Sequence, residues 1–262
     1  EPPLTSHYML DGASPLPALA LAPKPGERVL DLCAAPGGKS LVLAGQLFAN
    51  GSAPPATGSL LVSNDRSRPR RARLRRVLSD YLGSTLTAED GAVRVTGFDA
   101  TYARIPTSTW PDYFDKILVD APCSSERHVM HGSAGATWSA SRLKRDAKQQ
   151  QQILRAAVRR LNPDGGVLVY STCSIAPVEN DGVISKLLTH ASHGAGLECS
   201  DPLGALGEES LKLLLAGVEQ TPLGAIVLPD SSGFGPLYWS VLRCSRGALG
   251  QPDSSVNSFQ QR

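Results

Sequence analysis

The apolar residues of this chain fall into short dense runs, separated by amphipathic stretches and by clusters of Gly, Pro, Asn and Asp. Short apolar runs bounded by turn formers read as buried strands. They occur at Glu27 to Leu32, Ser59 to Ser63, Ala92 to Thr96, Phe114 to Val119, Val167 to Tyr170 and Leu237 to Leu242. Between them the pattern predicts helices over Leu16 to Leu21, Lys39 to Leu47, Pro69 to Tyr81, Asp146 to Leu161, Asn180 to His190 and Leu211 to Val218. The clearest is Asp146 to Leu161, where Ile153, Leu154, Ala157, Val158 and Leu161 recur at helical spacing. Asn162-Pro163-Asp164-Gly165-Gly166 then stops it. Strands alternating with helices predict an α/β fold with a doubly wound, mostly parallel sheet. Asn50 to Gly58 reads as a loop, and the polar stretch 124–145 as a long loop of the kind that is functional or disordered.

Length and charge refine this only slightly. A chain of 262 residues fits one large α/β domain. The expected division is an N-terminal extension over 1–26 packing on the core, a catalytic domain over 27–246, and a polar, frayed tail over 247–262. No apolar stretch is long enough to span a bilayer, so no membrane partner is expected. The net charge of +2 is too small to indicate a partner. Its distribution says more, because residues 66–76 carry seven arginines and no acid. That run is either a patch for phosphate backbones or a solvated helix face. Arg127, Arg142, Lys144 and Arg145 could add to the patch, whereas His128 reads as a surface histidine.

Five cysteines, Cys33, Cys123, Cys173, Cys199 and Cys244, are odd in number and widely spaced. None has zinc-like spacing, so no metal site is expected. A disulfide scaffold does not suit this size, which points to a reducing, intracellular compartment. The chain begins at Glu1 rather than Met, so a targeting peptide could lie outside it. Free cysteine is most often a small buried hydrophobe, and Cys33, Cys199 and Cys244 are read that way. Cys123 and Cys173 differ: each closes a strand, in Asp120-Ala121-Pro122-Cys123 and Ser171-Thr172-Cys173-Ser174.

Ligands of open α/β sheets bind beyond the carboxyl ends of the strands. Three motifs converge there. The first strand leads into Asp31-Leu32-Cys33-Ala34-Ala35-Pro36-Gly37-Gly38-Lys39-Ser40, a glycine-rich loop without the dinucleotide or phosphate-loop spacing. Asp65 follows the second strand, where an acid typically bonds ribose hydroxyls, and Asp99 the third, on the adenine side. Each acid alone is as readily a turn former. In register they indicate an adenosine-containing cofactor without a pyrophosphate, which S-adenosylmethionine satisfies.

DLCAAPGGKS, NDRSRPRRARL, VTGFDA, VDAPCSSERH and VYSTCSI, with HYMLDGASPLPALAL and GFGPLYWSVLRC, resemble the successive motifs of the Sun-domain RNA cytosine-5 methyltransferases. The similarity runs from about Tyr8 to Cys244 and is strongest to the mitochondrial ribosomal-RNA branch. It implies a Rossmann-like methyltransferase fold, S-adenosylmethionine as cofactor and RNA, ribosomal above all, as substrate. It implies that the loop Cys33, Ala34, Ala35, Pro36, Gly37, Gly38 and Lys39 holds the cofactor, with Gly37, Gly38 and Lys39 at its methionine end. Asp65 would bind ribose with Arg70 nearby, Asp99 the adenine side, and Asp120 would lie between cofactor and base. Cys173 would be the nucleophile and Cys123 the product-releasing cysteine. A helical-repeat protein or a ribosomal particle is an implied partner, and the mitochondrion the implied compartment, with nucleus, plastid and cytoplasm open. Other readings are a tRNA-directed member of the same family and an RNA-binding assembly factor with little activity. A DNA methyltransferase is disfavoured by the additional STCS motif.

Overall fold

The computed structural model describes residues 4–48, 58–102, 110–124, 139–190, 196–206 and 217–245. Five parallel strands form one half of its sheet: β1 (Arg28–Asp31), β2 (Leu60–Asn64), β3 (Val93–Thr96), β4 (Lys116–Asp120) and β5 (Val167–Thr172), in the spatial order β3-β2-β1-β4-β5. The order reverses between β1 and β4, which opens a crevice at their carboxyl ends. Side chains alternate between two cores, as the two-residue period of a strand requires. Val29 and Leu118 join the core under α1 (Leu16–Leu21), α2 (Gly38–Leu47) and α3 (Arg68–Leu82). Leu30, Ile117 and Val119 join the opposite core under α4 (Ala140–Val158) and α5 (Asp181–Leu188). Both faces are covered, so these strands are apolar nearly throughout.

The other half is antiparallel, and of it the pattern predicts only the strand Leu237 to Leu242. β9 (Leu237–Cys244) lies antiparallel beside β5 along its length. Its outer edge is shared: β8 (Gly224–Val227) pairs with its first half and β6 (Leu197–Ser200) with its second. β7 (Val218–Thr221) forms a hairpin with β8. The expected helix over Leu211 to Val218 lies largely outside the described residues, and its last residue begins β7 instead. β9 also runs two residues past the expected Leu242, because Cys244 still pairs with Leu197.

The helix expected to begin at Asp146 begins at Ala140 and ends at Val158. Ser139 caps it, accepting from Arg142 N–H, and Leu143 and Ala147 extend its buried stripe toward the N-terminus. The polar segment 124–145 is therefore partly helical, while 125–138, with Arg127 and His128, lies outside the described residues, as do the tail 247–262 and most of the loop Asn50 to Gly58. Leu16 and Leu21 are fully buried, so the extension contributes side chains to the core. Among the described residues no helix is long and apolar enough to cross a membrane.

Candidate active site

The carboxyl ends of the five parallel strands carry, in spatial order, Asp99, Asp65, Asp31, Asp120 and Cys173. The glycine turn after β1 is shaped by packing on both sides. Gly37 has φ +121°, a conformation L side chains rarely adopt. A side chain on Gly38 would meet Leu10 at 2.4 Å and Tyr8 at 2.9 Å. The N-terminal segment thus closes over the turn, while Val77 and Leu74 of α3 lie against Gly37.

Asn64 ties the ends of β1, β2 and β3 together. Its amide donates to Leu32 O (3.1 Å) and Phe98 O (3.0 Å). Its oxygen accepts from Thr96 Oγ1 (2.9 Å) and Phe98 N–H (2.8 Å). Asp65 accepts from Ser67 N–H and pairs with Arg70 (3.4 Å), which also donates to Ala35 O in the glycine loop. Arg66 pairs with Asp99 at 2.8 Å. Desolvation pushes the Asp99 carboxyl up, but hydrogen bonds from Thr101 and Arg66 outweigh it and hold it below its ordinary value. Arg71 donates to the backbone oxygens of Asp65 and Arg66. Three of the seven clustered arginines therefore hold the loops of this site, a role the charge pattern alone did not distinguish.

Across the β1–β4 crevice, Lys39 Nζ lies 2.9 Å from Asp120 Oδ2 and 3.2 Å from Ser14 Oγ of the N-terminal segment. Asp120 Oδ1 accepts from Ser171 Oγ at 2.8 Å, its register partner on β5. Both oxygens of Asp120 are thus engaged. Asp31 is fully buried, with Oδ2 accepting from Ser40 Oγ at 2.7 Å. Desolvation raises its carboxyl to about 7, opposed by the Ser40 hydrogen bond. Its Oδ1 has no hydrogen-bond partner among the described residues. A buried, unsatisfied oxygen beside a cation and between two strand-end acids suits a ligand carrying both an ammonium and a carboxylate, as S-adenosylmethionine does. Cys33 is different: burial, then the charges of Asp31, Asp120 and Asp65, push its thiol far up, so it is no nucleophile.

Cys123 and Cys173 are brought together, with Sγ atoms 3.0 Å apart and no disulfide between them. Cys123 is buried at 8% exposure, and Cys173 is half-buried. Ser124 N–H and Oγ donate to the carboxylate of Glu179, which is 0% exposed. Gln150 of α4 donates to Glu179 Oε1 (2.9 Å) and to Pro122 O (3.0 Å). On the other side Asn180 donates to Ser174 O (2.9 Å) and accepts from Thr172 Oγ1 (2.7 Å). Sequence reasoning missed Ser14, Asp31, Ser171, Gln150 and Glu179. Gln150 carries a readable signal: it occupies the stripe continued by Ile153, Leu154 and Ala157. Of the remaining cysteines Cys244 is buried, but Cys199 is exposed on β6, contrary to expectation.

This sheet order, with a glycine-rich loop after β1 and acids after β2 and β3, is that of the Rossmann-like methyltransferase class. A methyltransferase homologue from Pyrococcus horikoshii superimposes with a TM-score of 0.63 at 26% identity, over 90% of this chain and 68% of that one. The model of the 16S rRNA methyltransferase RsmB/F family matches residues 18–221, and the chain belongs to that family. It is 38% identical over 245 residues to the 5-cytosine rRNA methyltransferase NSUN4 of Mus musculus, covering 91% of this chain and 60% of that protein. It is 35% identical over 243 residues to the mitochondrial tRNA (cytosine(34)-C(5))-methyltransferase of Mus musculus, covering 92% of this chain and 64% of that protein. The chain thus spans less than two thirds of the length of these relatives.

Proposed function

We propose that this protein transfers a methyl group from S-adenosylmethionine to C5 of a cytosine in RNA. The observation that carries the reading is the pair of thiols, 3.0 Å apart, at the strand ends beside Asp120 and the cofactor loop. C5 of cytosine is too weak a nucleophile to be methylated directly. Cys173, as thiolate, forms a bond to C6, and the displaced ring electrons make C5 enamine-like. Asp120, carrying a proton, donates it to N3 as charge builds there and takes it back when C5 attacks the methyl group, with Lys39 Nζ 2.9 Å from Asp120 Oδ2. The cofactor supplies an electrophilic methyl group on a sulfonium and leaves as a thioether. Cys123, itself as thiolate, accepts the C5 proton directly or through water; the C5–H electron pair restores the C5–C6 double bond and expels the Cys173 thiolate, leaving Cys123 protonated. The base must leave its stack to reach these strand ends, so flipped or single-stranded RNA is the substrate.

Within the cofactor site, Gly37, Gly38, Lys39 and Asp31 would hold the methionine end, and Asp65, Arg70 and Asp99 the adenosine. Ribosomal RNA is the substrate we favour and the mitochondrion the compartment, since the relatives are named for ribosomal RNA and for mitochondria. A tRNA-directed activity is the second reading, supported by likeness to a tRNA methyltransferase at nearly the same identity. Delivery to the RNA by a helical-repeat protein or by a ribosomal particle belongs to the same proposal.

The test is methyl transfer from labelled S-adenosylmethionine to separated ribosomal RNA, tRNA and DNA, followed by nucleoside analysis. Label in 5-methylcytidine from RNA, lost in Cys173→Ala, is the expected result. Cofactor binding without label in any polymer would instead point to a missing partner or to the assembly-factor reading.

A further inference from the structure

The hydrogen bonds around Glu179 join the two cysteine loops. Ser124, next to Cys123, gives both its N–H and its hydroxyl to the Glu179 carboxylate. Gln150 reaches from α4 to bond Glu179 Oε1 and, on the same turn, Pro122 O. Glu179 itself lies six residues beyond Cys173, on the loop entering α5. Tyr170 of β5 fixes its backbone by donating to Glu179 O at 2.7 Å. Asn180 ties that loop back to Thr172 and Ser174, on either side of Cys173. Burying an acid of this kind is costly unless it is hydrogen-bonded, and here three donors meet it. An apolar side chain could pack the space, but it could not bind both loops.

We infer that Glu179 is a positioning residue that sets the placement of Cys123 against Cys173, and so couples release of the methylated base to its capture. The inference rests on the methyl-transfer reading for its consequence but not for its geometry. The Glu179 carboxylate bonds Ser124 and Gln150, and Gln150 bonds Pro122, so its effect passes through these residues to Cys123. Removing its carboxylate frees the Ser124 N–H and hydroxyl and one Gln150 bond, and the Cys123 turn opens. Capture by Cys173 persists, whereas release slows.

Glu179→Ala tests this, with Glu179→Gln as the conservative variant. Glutamine keeps an acceptor for Ser124 N–H and Gln150, and its amide can donate to Ser124 Oγ. The first readout needs neither RNA nor cofactor: alkylation of each cysteine by iodoacetamide, followed by mass spectrometry, with exposed Cys199 as internal reference. Glu179→Ala should raise the rate at Cys123 about tenfold, Glu179→Gln should restore it to within about threefold of wild type, and Cys199 should not change. The second readout is RNA-linked protein during turnover. It should accumulate in Glu179→Ala, with kcat lowered and KM for RNA nearly constant. Unchanged Cys123 alkylation in folded Glu179→Ala would overturn the inference. So would an equal rise at Cys33, Cys123, Cys173 and Cys244, which marks general loosening. Should Glu179→Ala not fold, Ser124→Ala removes the hydroxyl's bonds to Glu179 and to Ser174 while keeping the Ser124 N–H bond, and should raise Cys123 alkylation by a smaller factor, with no rise counting against the proposal. If alkylation responds as expected while wild-type protein neither methylates nor captures RNA, the positioning role stands and the methyl-transfer reading fails.

Discussion

Lys39 Nζ sits 2.9 Å from Asp120 Oδ2, bridging the crevice where the strand order reverses. The two side chains differ in environment: Lys39 is 12% exposed and Asp120 32%, so the acid faces the open side, where a base would enter. Asp120→Asn keeps an acceptor for Ser171 but sets an amide against the ammonium. Turnover should fall by about 10²–10⁴-fold, the usual range for a positioned acid–base group, while affinity for S-adenosylhomocysteine changes little. Lys39→Met should lower both. Calorimetry beside single-turnover methylation separates the two, and an Asp120→Asn defect confined to cofactor affinity would contradict the assignment at N3.

Two thiols in contact at 3.0 Å need distinct roles, and their exposure suggests the division. Cys173 is the more open, as a nucleophile that meets the base must be, and Cys123 lies behind it. Cys173→Ala should abolish both turnover and trapping by RNA containing 5-fluorocytosine. Cys123→Ala should accumulate a covalent protein–RNA species on unmodified RNA, visible as a denaturation-resistant band. The reverse pattern would exchange the two roles.

Asp31 predicts a pH dependence of stability. Burial raises its carboxyl from 3.8 to about 7 in the folded protein. Below about pH 4 it is protonated in both states and imposes no penalty. As pH rises from there to about 7 the unfolded chain ionises first, so the folded state is progressively disfavoured, by about 4 kcal/mol in all, and the loss levels off above pH 7. Asp31→Asn keeps an acceptor for Ser40 without the titration. Its melting temperature relative to wild type should therefore climb between pH 5 and pH 7 and then stay constant. A parallel pH profile for the two proteins would show that Asp31 does not titrate in this window.

Much of this site was readable because it stands on local signals. The runs ending at Asp31, Asp65, Asp99, Asp120 and Cys173 are bounded by turn formers, and one strand end after another delivers its residue to the same edge. β6, β7 and β8 give no such signal. β7 exposes Glu219 and Gln220 and is held by pairing to β8, which in turn depends on β9. Strands whose stability comes from a distant partner leave little local pattern. The burial of Asp31 and Glu179 is equally non-local, since it arises when the loops and helices that cover them are in place. The N-terminal segment shows the same limit: Ser14 reads as an unremarkable loop residue until the fold sets it against Lys39.

The arginine run divides into two groups, and the division is testable. Arg66, Arg70 and Arg71 hold the strand-end loops, and Arg76 pairs with Asp80 within α3. Arg68, Arg73 and Arg75 are exposed along α3. Exposed arginines that grip phosphates add affinity without sequence choice, and each contact contributes about 0.7 to the salt slope on single-stranded RNA. Reversing Arg68, Arg73 and Arg75 together to Glu should weaken RNA binding and reduce that slope by about 2, leaving cofactor affinity intact. Arg70→Ala should do the opposite, weakening S-adenosylhomocysteine binding about tenfold through the freed Ala35 loop and leaving the salt slope unchanged. Fluorescence anisotropy over a salt series, beside calorimetry with S-adenosylhomocysteine, measures both. If the triple reversal leaves the slope at its wild-type value, these arginines of α3 are solvated surface and the RNA path runs elsewhere.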